Sequence, residues 1–424
     1  MNITIQKYGG SSLATDEHVC AVADRVARSH RHGLSMIVVV SARGDTTDTL
    51  IRSAGTISSR PCPKETDKLL ATGELASAAL LAIALRERGV PSVSLSGPEA
   101  GLRADGRPGA GTVTAVDTGA VRDLLHRAHV VVVAGFQARG ADGGVITLGR
   151  GGSDTSAVAL AIAHGADVCE IYTDVEGIHS ADPRLVAEAG VLPAVEAAVM
   201  IEMAASGARV MHSRAVELAA AHGMDIVVRH AHGQGKGSII TGRSSVVPRV
   251  LTHDGKATIT AITHAAGAAQ VVLHADRASG LPPLSEVDVF TALAGHRIAI
   301  DSVGRWSPTD DGVLMSFCVP VRELDQVRTA LSSIVGLGSG TLRVHQPLGQ
   351  VSVVGVGLLG DPSVAAAAIS ELTRHGIVSA GVSCTPMRVS LLVPEDRVKE
   401  AVVILHRRFG LDGNDEHTKE LAVA

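Results

Sequence analysis

The chain has 424 residues and a formal net charge of −5, so its length predicts two or three domains and its charge argues against a nucleic-acid partner. Apolar residues make up 46% of the sequence but aromatic residues only 2%, so the cores must be built from Ala, Val, Leu and Ile. The five cysteines are scattered without a CxxC pair, and no uninterrupted apolar run is long enough to cross a bilayer, so we expect a cytoplasmic protein with reduced thiols and no membrane partner.

Short runs rich in β-branched residues alternate with alanine-rich stretches through the N-terminal part of the chain. The runs at 3–6, 36–40, 93–95, 129–134 and 168–172 are typical of buried strands. Helices are predicted at 75–88 and 155–164, and the first of these is expected to begin at Thr72-Gly73-Glu74. This alternation predicts an α/β fold, with a mostly parallel sheet sandwiched by helices.

The pattern changes after a linker predicted at 244–256, which follows an N-terminal domain of residues 1–243. Two weakly similar units come next, at 257–340 and 341–424. The first has strands at 269–274, 298–300 and 313–317 around a helix near 284–294. The second has strands at 350–356 and 388–393 around a helix at 363–375, with a final helix at 395–409. This order is that of a ferredoxin-like βαββαβ domain occurring twice.

A glycine-rich loop at residues 149–155 opens the predicted helix at 155–164. Its glycines allow a ligand to approach the backbone closely, and the free N–H groups of a helix start favour an anion. Arg150 adds a planar donor fork that suits a carboxylate or a phosphate. The loop therefore suits a small anionic substrate, although the same residues also suit an ordinary glycine turn with a Ser or Asp cap.

Further polar loops follow other predicted strands. Lys7 precedes Gly9-Gly10-Ser11, where an ammonium and glycine amides could hold phosphate oxygens. Glu74 could accept from a substrate ammonium, although a first-turn carboxylate also complements the helix dipole. Acidic and hydroxyl groups at Thr173-Asp174 suit a nucleotide, with Arg184 available for its phosphates. Open α/β sheets bind ligands at the carboxyl ends of their strands, so we expect these loops to face one crevice.

Taken together, these blocks resemble the aspartokinases, within the amino-acid kinase family, over nearly the whole chain. The two C-terminal units resemble that family's paired ACT domains, which bind amino-acid effectors. The matching signatures are Lys7-Tyr8-Gly9-Gly10-Ser11-Ser12, Ser41-Ala42 with Thr46-Thr47, Gly73-Glu74, Ala134-Gly135-Phe136-Gln137, Gly149 to Thr155, Tyr172-Thr173-Asp174-Val175, Ala181-Asp182-Pro183-Arg184, and Glu202-Met203-Ala204 with Gly207-Ala208.

The resemblance implies phosphoryl transfer from ATP, with Mg²⁺, to the side-chain carboxylate of L-aspartate. The product is 4-phospho-L-aspartate, the first intermediate on the route to lysine, threonine and methionine. The resemblance gives catalytic roles to Lys7, which stabilises the transferring phosphoryl group, and to Asp154, which with Glu74 holds the substrate ammonium. Arg150 grips the α-carboxylate. The other substrate residues are Thr47, Phe136, Gly151, Gly152 and Ser153, and the ATP residues are Lys7, Gly9, Gly10, Ser11, Thr173, Asp174, His179, Arg184 and Arg209. No metal-ligating side chain is implied, and a homodimer through the ACT units is expected.

Four residues in the kinase half differ from those that are usual in the family at the same positions. Leu75 stands where Gln or Arg is common, Glu99 where Gln is usual, and His179 where the residue is often aromatic. Arg209 replaces the lysine expected near ATP, which keeps the charge but changes its reach and donor geometry. Their effect on substrate choice stays open at this stage.

The predicted ACT units depart further. The family's Asn-Ile pair is Ala299-Ile300 in the first unit and Val378-Ser379 in the second, and the effector loop at 277–283 is altered. Loss of side-chain amides removes partners for the charged ends of an amino-acid effector. We therefore expect weakened feedback by lysine and threonine, with the units serving mainly in dimerisation.

Two other functions remain compatible with the sequence. The first is a kinase of the same fold that acts on a different amino acid or acidic metabolite, which Leu75 and Glu99 favour. The second is a non-catalytic regulatory subunit that binds a partner kinase through its ACT units, against which Lys7, Arg150 and Asp154 argue.

Overall fold

The computed structural model describes residues 3–233, 235–242, 257–275, 286–296, 298, 300–309, 312–332, 334 and 342–412. The linker predicted at 244–256, the loop at 277–283 and Ala299 lie outside these ranges. All statements below concern the described residues.

The N-terminal half alternates strands and helices, as its sequence predicts. Its strands in chain order are β1 (Ile3–Tyr8), β2 (Ser35–Val40), β3 (Ser92–Leu95), β4 (Leu102–Arg107), β5 (Ala110–Val116), β6 (Val130–Ala134), β7 (Gln137–Arg139), β8 (Val145–Thr147), β9 (Val168–Thr173), β10 (Ile178–His179), β11 (Val191–Leu192), β12 (Ala194–Glu196), β13 (Asp225–His230) and β14 (Ser238–Thr241). Its helices are α1 (Asp16–Arg31), α2 (Thr46–Ile57), α3 (Pro63–Glu87), α4 (Gly119–His126), α5 (Gly152–His164), α6 (Ala197–Ala205) and α7 (Ser213–Ala221).

Eight of the described strands form the main sheet, in the order β12-β14-β13-β9-β1-β2-β6-β3. Its neighbouring strands run parallel except for β13 and β14. Strand β2 shows why the central strands are apolar throughout. Met36, Val38 and Val40 belong to a core cluster with α1 and α3, whereas Ile37 and Val39 belong to a second cluster with α4 and α5. Helices cover both faces of the sheet, which confirms the predicted fold class.

A smaller sheet, which the sequence did not predict, lies beside the main one. Within the described chain its strand order is β5-β4-β7-β8. Strand β8 leads directly into the glycine-rich loop at 149–155, so this sheet positions that loop.

Helix α3 begins nine residues before the expected start at Thr72, because Pro63 occupies its first turn, where proline is tolerated. Glu74 therefore lies in the interior of the helix, so the first-turn interpretation of its carboxylate is wrong. Over the residues the structure covers, α3 is also the single helix long and apolar enough to cross a membrane by length and composition alone, and 56% of its apolar window is buried inside the protein. Its packing against α1 and β2 accounts for that hydropathy.

The C-terminal half contains two units that share one sheet. Its elements are β15 (Thr258–Ala275), α8 (Glu286–Gly295), β16 (Asp301–Thr309), β17 (Gly312–Pro320), α9 (Leu324–Leu331), β18 (Leu342–Val356), α10 (Pro362–Arg374), β19 (Gly381–Thr385), β20 (Arg388–Pro394) and α11 (Val398–Arg408). The strand expected at 298–300 begins instead at Asp301.

Strands β15 and β18 each belong to both units. In the described residues the sheet order is β16-β17-β15-β18-β20-β19. Residues 268–275 of β15 pair with β17, and residues 268–273 also pair with 342–348 of β18. Residues 258–265 of β15 pair instead with 350–356 of β18, which continue the sheet to β20 and β19. The beginning of the C-terminal half thus supplies a strand to the unit formed by the end of the chain.

The N-terminal half packs directly on the second of these units. Ala181, Val186 and Ala189 join the apolar cluster formed by β18, β20, α10 and α11. Ser206, at the end of α6, lies with its Oγ 2.7 Å from Thr263 Oγ1 on β15. Arg388 of β20 lies between Glu202 of α6 and Asp301 of β16, with nitrogen–oxygen distances of 3.6 and 3.2 Å. Segments of the N-terminal half that border the predicted nucleotide residues are therefore in contact with the six-stranded sheet of the C-terminal half.

Candidate active site

A buried ion pair lies at the carboxyl end of β1. Lys7 Nζ is 2.6 Å from Asp154 Oδ1, and the two side chains are 11% and 12% exposed. Asp154 occupies the first turn of α5, where a carboxylate complements the positive end of the helix dipole. The two residues are far apart in sequence, but α5 packs across β1 and so brings Asp154 next to Lys7. The pair therefore concentrates a cation and an anion at this edge of the sheet, where water screens them less than at an open surface.

The loops after β1, β2 and β9 meet at this edge of the sheet. Gly9 N donates to Tyr172 O at 3.1 Å, and Gly44 N donates to Gly10 O at 3.0 Å. A Cβ on Gly10 would lie 2.6 Å from Ala42 O, so the close approach of the two loops requires glycine there. Ser11 follows in an exposed position. The predicted convergence of strand-end loops is therefore present.

The glycine-rich loop closes over the start of α5. Gly151 has a φ of +68°, in the left-handed region, immediately before the helix. Gly152 packs beneath Phe136, since a Cβ there would lie 2.8 Å from Phe136 Cδ2. Ser153 is buried beside Gly135, and Arg150 is exposed at the tip of the loop. The loop thus gathers Phe136, Gly152 and Ser153 and leaves the Arg150 guanidinium open to solvent.

Phe136 itself has an unusual backbone conformation. Its φ is +67°, which a bulky side chain rarely adopts. Phe136 N donates to Ser156 Oγ at 3.1 Å, a bond that ties this residue to α5. Such strained residues concentrate at ligand sites.

Glu74 presents an unpartnered carboxylate oxygen in the same region. Its Oε1 accepts from Ala42 N at 3.0 Å, whereas Oε2 is buried and has no hydrogen-bond partner within the described chain. Burial raises the pKa of Glu74 to about 7. Next to it, a Cβ on Gly73 would lie 3.4 Å from Thr46 Cγ2, so α3 closely approaches the start of α2, where Thr47 follows. An orphaned, buried carboxylate oxygen suits a positively charged ligand.

Two charged residues that sequence reasoning missed, one buried and one half-buried, support the glycine-rich loop. Asp67, two turns before Glu74 on α3, accepts from Thr147 N at 2.9 Å and from Gly109 N at 3.1 Å through Oδ2, and from Thr147 Oγ1 at 2.8 Å through Oδ1. Arg214 donates to Leu148 O at 2.7 Å and to Gly111 O at 2.9 Å. The spacing of Asp67 and Glu74 on one helix face was the available signal.

The predicted nucleotide residues lie along the loop that follows β9. Thr173 Oγ1 donates to Asp174 Oδ1 at 3.0 Å, and His179 Nδ1 lies 3.1 Å from Gly177 O. Arg184 is held by Asp182, with Nε 3.0 Å from Oδ1 and Nη2 2.7 Å from Oδ2. This pairing lowers the pKa of Asp182.

Arg209 is exposed just beyond α6. Its charge and that of Arg184 both act on His264 of β15. Burial is the main reason that the pKa of His264 is lowered, and the charges of Arg209 and Arg184 lower it further, whereas Asp182 raises it. The structure thus brings Arg184 and Arg209 to one region, beside the ACT strand β15.

Two of the kinase-half departures, Leu75 and Glu99, have simple local surroundings. Leu75 is exposed on α3 although its neighbour Glu74 is buried. Glu99 Oε2 accepts from Ser96 N at 2.7 Å and from Ser96 Oγ at 2.8 Å, so its carboxylate caps its own turn. These bonds lower the pKa of Glu99. Neither residue therefore gives direct support to a different substrate.

Known proteins match both halves of the chain. A model of the amino acid kinase family matches residues 2–230, and one described as an ACT domain matches residues 351–409. The chain is 38% identical to the aspartokinase of Mycobacterium bovis over 430 residues, which covers 99% of this chain and 98% of that protein. It is 37% identical to aspartokinase 2 of Bacillus subtilis over 412 residues, covering 97% and 98%. This chain belongs to the aspartokinase family.

Solved structures of aspartokinases share its fold. E. coli aspartokinase III, in complex with aspartate and ADP, superposes with a TM-score of 0.76 at 22% identity, covering 96% of this chain and 99% of that one. The aspartate kinase from Synechocystis gives a TM-score of 0.54 at 33% identity, covering 96% and 69%. As an aspartokinase-family protein, the chain is a kinase that joins an amino-acid kinase fold to a C-terminal ACT domain.

Proposed function

We propose that the crevice transfers the γ-phosphoryl group of ATP to the side-chain carboxylate of L-aspartate, giving 4-phospho-L-aspartate. The observation that carries this proposal is the Lys7–Asp154 ion pair, with 2.6 Å between Nζ and Oδ1, at the sheet edge where Glu74, with its unpartnered Oε2, bonds the loop after β2. One crevice thus offers a cation for phosphate and carboxylates for an ammonium. An α-amino acid with an acidic side chain matches that arrangement of charge.

Residues near the Lys7–Asp154 pair bind the α-carboxylate and the ammonium of the substrate. Arg150, exposed at the loop tip, binds the α-carboxylate through its guanidinium fork, assisted by the amides of Gly151 and Gly152. Glu74 and Asp154 hold the ammonium. The side chains that shape the remaining wall are Thr47, Phe136 and Ser153.

The nucleotide occupies the loops after β1 and β9. Lys7 and the amides at Gly9 and Gly10, with Ser11, hold the phosphates. The residues that line the rest of the nucleotide site are Thr173, Asp174, His179, Arg184 and Arg209. Arg184 is paired with Asp182 in the free protein, so phosphate binding competes with that carboxylate for the guanidinium.

A Mg²⁺ ion that arrives with ATP needs few protein ligands, because phosphate oxygens and water supply most of them. Within the described ranges, no group of three or more His, Cys, Asp or Glu side chains is arranged to hold a metal ion alone. Asp174 fits the lesser requirement, since its carboxylate is exposed at the end of β9. Asp174 would hold the ion there, and the ion would supply neutralisation of phosphate charge.

The reaction needs no nucleophile from the protein. A substrate carboxylate oxygen forms the new bond to the γ-phosphorus, the bond from that phosphorus to the β,γ-bridging oxygen breaks, and ADP leaves with the electron pair. Catalysis then consists of alignment and charge stabilisation. Lys7 stabilises the charge on the transferring group.

The deciding experiment is ADP release by the full-length protein, coupled to a spectroscopic readout, with L-aspartate and a panel of other amino acids and acidic metabolites. We expect turnover with aspartate and at most a few per cent of that rate with the others. A better acceptor in the panel would overturn the substrate assignment, and ADP release with none of them would overturn the kinase proposal. The alternative acceptor and the non-catalytic subunit are not favoured, because relatives named aspartokinase match nearly the whole chain.

We also infer a homodimer formed through the ACT units, in a cytoplasmic enzyme whose feedback by lysine and threonine is weak. Val378, at one of the positions where the family has a side-chain amide, is 72% exposed and offers no polar partner to an effector. Activity with each amino acid at millimolar concentration tests the feedback, and sharp inhibition by either would contradict it. Analytical ultracentrifugation tests the dimer, and a monomer at micromolar concentration would contradict it.

A further inference from the structure

A chain of three polar side chains, of which Ser180 and His406 are buried, joins the two halves of the protein. Ser180 Oγ lies 2.9 Å from His406 Nε2, and His406 Nδ1 lies 3.2 Å from Asp412 Oδ1. Ser180 directly follows strand β10 in the N-terminal half. His406 is on α11 of the second ACT unit, and Asp412 lies four residues beyond the end of that helix. The last helix of the chain therefore holds a loop of the kinase half.

The order Ser–His–Asp is that of a hydrolase triad, but burial argues against such chemistry. Ser180 is 3% exposed and His406 is fully buried. A substrate carbonyl cannot reach a hydroxyl enclosed in this way, and a nucleophile must be reached. The contact is therefore a means of holding the loop.

Ser180 fixes the loop through every polar group that it has. Its N donates to Gly190 O at 3.0 Å, and its carbonyl oxygen accepts from Ile262 N of β15 at 2.8 Å. Its Oγ is also 3.4 Å from Leu411 O. The residue after it, Ala181, is packed in the apolar cluster of the second ACT unit.

Ser180 lies close in sequence to two residues of the proposed ATP site. His179 is its immediate neighbour and Arg184 follows four residues later, and both belong to the proposed ATP site. The Ser180 backbone is bonded to β15 and its side chain contacts α11, so these elements contact the segment that carries both residues.

We propose that Ser180 and His406 are positioning residues for the nucleotide, through which helix α11 of the second ACT unit holds segment 179–184 in its ATP-binding conformation. This inference rests on the proposed function, since it assigns a support to that ATP site. We assign the proton of the neutral imidazole to Nδ1 because Asp412 Oδ1 lies 3.2 Å from that nitrogen, and Nε2 then accepts from the Ser180 hydroxyl.

The surroundings of His406 favour this neutral form. Burial is the main cause that lowers its pKa, and Arg407 lowers it further. Asp412 and Glu188, the latter from the kinase-half loop, act in the opposite direction. Neutral imidazole has one donor and one acceptor nitrogen, which the contacts to Asp412 and Ser180 require.

The test compares Ser180→Ala with Ser180→Thr, which keeps the hydroxyl, in steady-state assays of the full-length protein with ATP and aspartate varied separately. We expect Ser180→Ala to raise KM for ATP about five- to tenfold, with KM for aspartate and kcat within about twofold. Ser180→Thr should stay within about twofold of the parent.

Asp412→Asn provides a second variant because its side chain is 37% exposed and its replacement leaves no cavity in a core. It should raise KM for ATP about two- to threefold, since it weakens the orientation of His406. Direct titration with ADP should show the same ratios. If Ser180→Ala lowers the melting temperature but leaves ATP and ADP affinity unchanged, or raises both KM values equally, the positioning role is wrong. A parent protein that fails to turn over aspartate contradicts the proposed function instead, and the ADP titration still tests the inference.

Discussion

Lys7 Nζ and Asp154 Oδ1 lie 2.6 Å apart although 147 residues separate them in sequence. The contact forms because β1 is central in the parallel sheet and α5 packs across it. A second Lys–Asp pair, Lys64 with Asp142, has a comparable distance of 2.5 Å, but its side chains are 66% and 55% exposed. The two pairs differ in burial and in position, so the exposed Lys64–Asp142 pair serves as a control for the buried Lys7–Asp154 pair.

Lys7→Ala should lower kcat by at least about a thousandfold, because it removes the cation that stabilises the transferring phosphoryl group. Lys64→Ala should leave kcat unchanged and alter the free energy of unfolding by less than about 0.5 kcal/mol, since exposed ion pairs contribute little. Coupled ADP-release assays on both variants decide the matter. Equal activity of Lys7→Ala and the parent would remove Lys7 from the mechanism.

Glu74 should give the aspartate kinetics a pH dependence. Burial raises the pKa of Glu74 to about 7, so the carboxyl of the free enzyme is largely protonated at pH 6 and ionised at pH 8. The ionised form attracts the substrate ammonium, so kcat/KM for aspartate should rise through about pH 7. Glu74→Gln should abolish this rise and increase KM for aspartate about 10- to 100-fold. A pH profile that is identical in the two proteins would contradict this prediction.

The same group should influence stability with a defined sign. Its pKa in the folded protein lies above the ordinary value of 4.5, so its favourable contribution is complete below about pH 4.5 and is lost as the pH rises through about 7. The difference in melting temperature between the parent and Glu74→Gln should therefore shift in favour of the variant across that range. Thermal unfolding at several pH values measures it.

The two ends of α5 offer a matched pair of glycines. Gly151 and Gly165 both have a left-handed backbone, with φ of +68° and +67°. A Cβ on Gly151 would overlap the His212 side chain, whereas a Cβ on Gly165 meets nothing within 4 Å. Gly165→Ala should cost only the backbone strain of about 1–2 kcal/mol. Gly151→Ala should lower the melting temperature further and abolish activity. Similar melting temperatures for the two variants would show that the His212 contact is not rigid.

Asp67 should control the affinity for aspartate without touching it. Asp67→Ala leaves the buried N–H groups of Gly109 and Thr147 without a partner, which should destabilise the protein by about 3–5 kcal/mol and raise KM for aspartate more than KM for ATP. Asp67→Asn retains an acceptor for both N–H groups and can donate to Thr147 Oγ1, so it should be much milder. If the two variants behave alike, the hydrogen bonds are not the cause.

The sequence predicted most strands and helices to within a few residues, because their periodicity is local. The strand expected at 36–40 is Ser35–Val40, and the helix expected at 363–375 is Pro362–Arg374. The start of α3 was misplaced since Pro63 and the polar residues after it do not continue the apolar pattern. The small sheet β5-β4-β7-β8 was missed because its strands are short and partly exposed.

Residues that carry chemistry were easier to find than the residues that hold them. Lys7, Arg150 and Asp154 lie in or directly beside glycine-rich loops at the ends of strands, where both motif and topology point to a ligand. Asp67 lies within an otherwise ordinary helix, and its partners come from strands that the sequence did not reveal. The contact between Ser180 and His406 spans 226 residues, and no local pattern encodes such a distance. The roles of the site residues stay predictions until the variants are measured.

Strands β15 and β18 are each shared by both C-terminal units. The boundaries chosen for a fragment of the C-terminal half therefore decide whether its strands keep their partners. A gene truncated after residue 340 would encode residues 258–265 without their partner 350–356, and residues 268–273 without 342–348. Both stretches would then present unpaired backbone edges, which invite aggregation. A recombinant regulatory fragment should therefore start before Thr258 and continue past Asp412. For the same reason, a chimaera that exchanges the C-terminal half of this protein should replace the whole sheet at once.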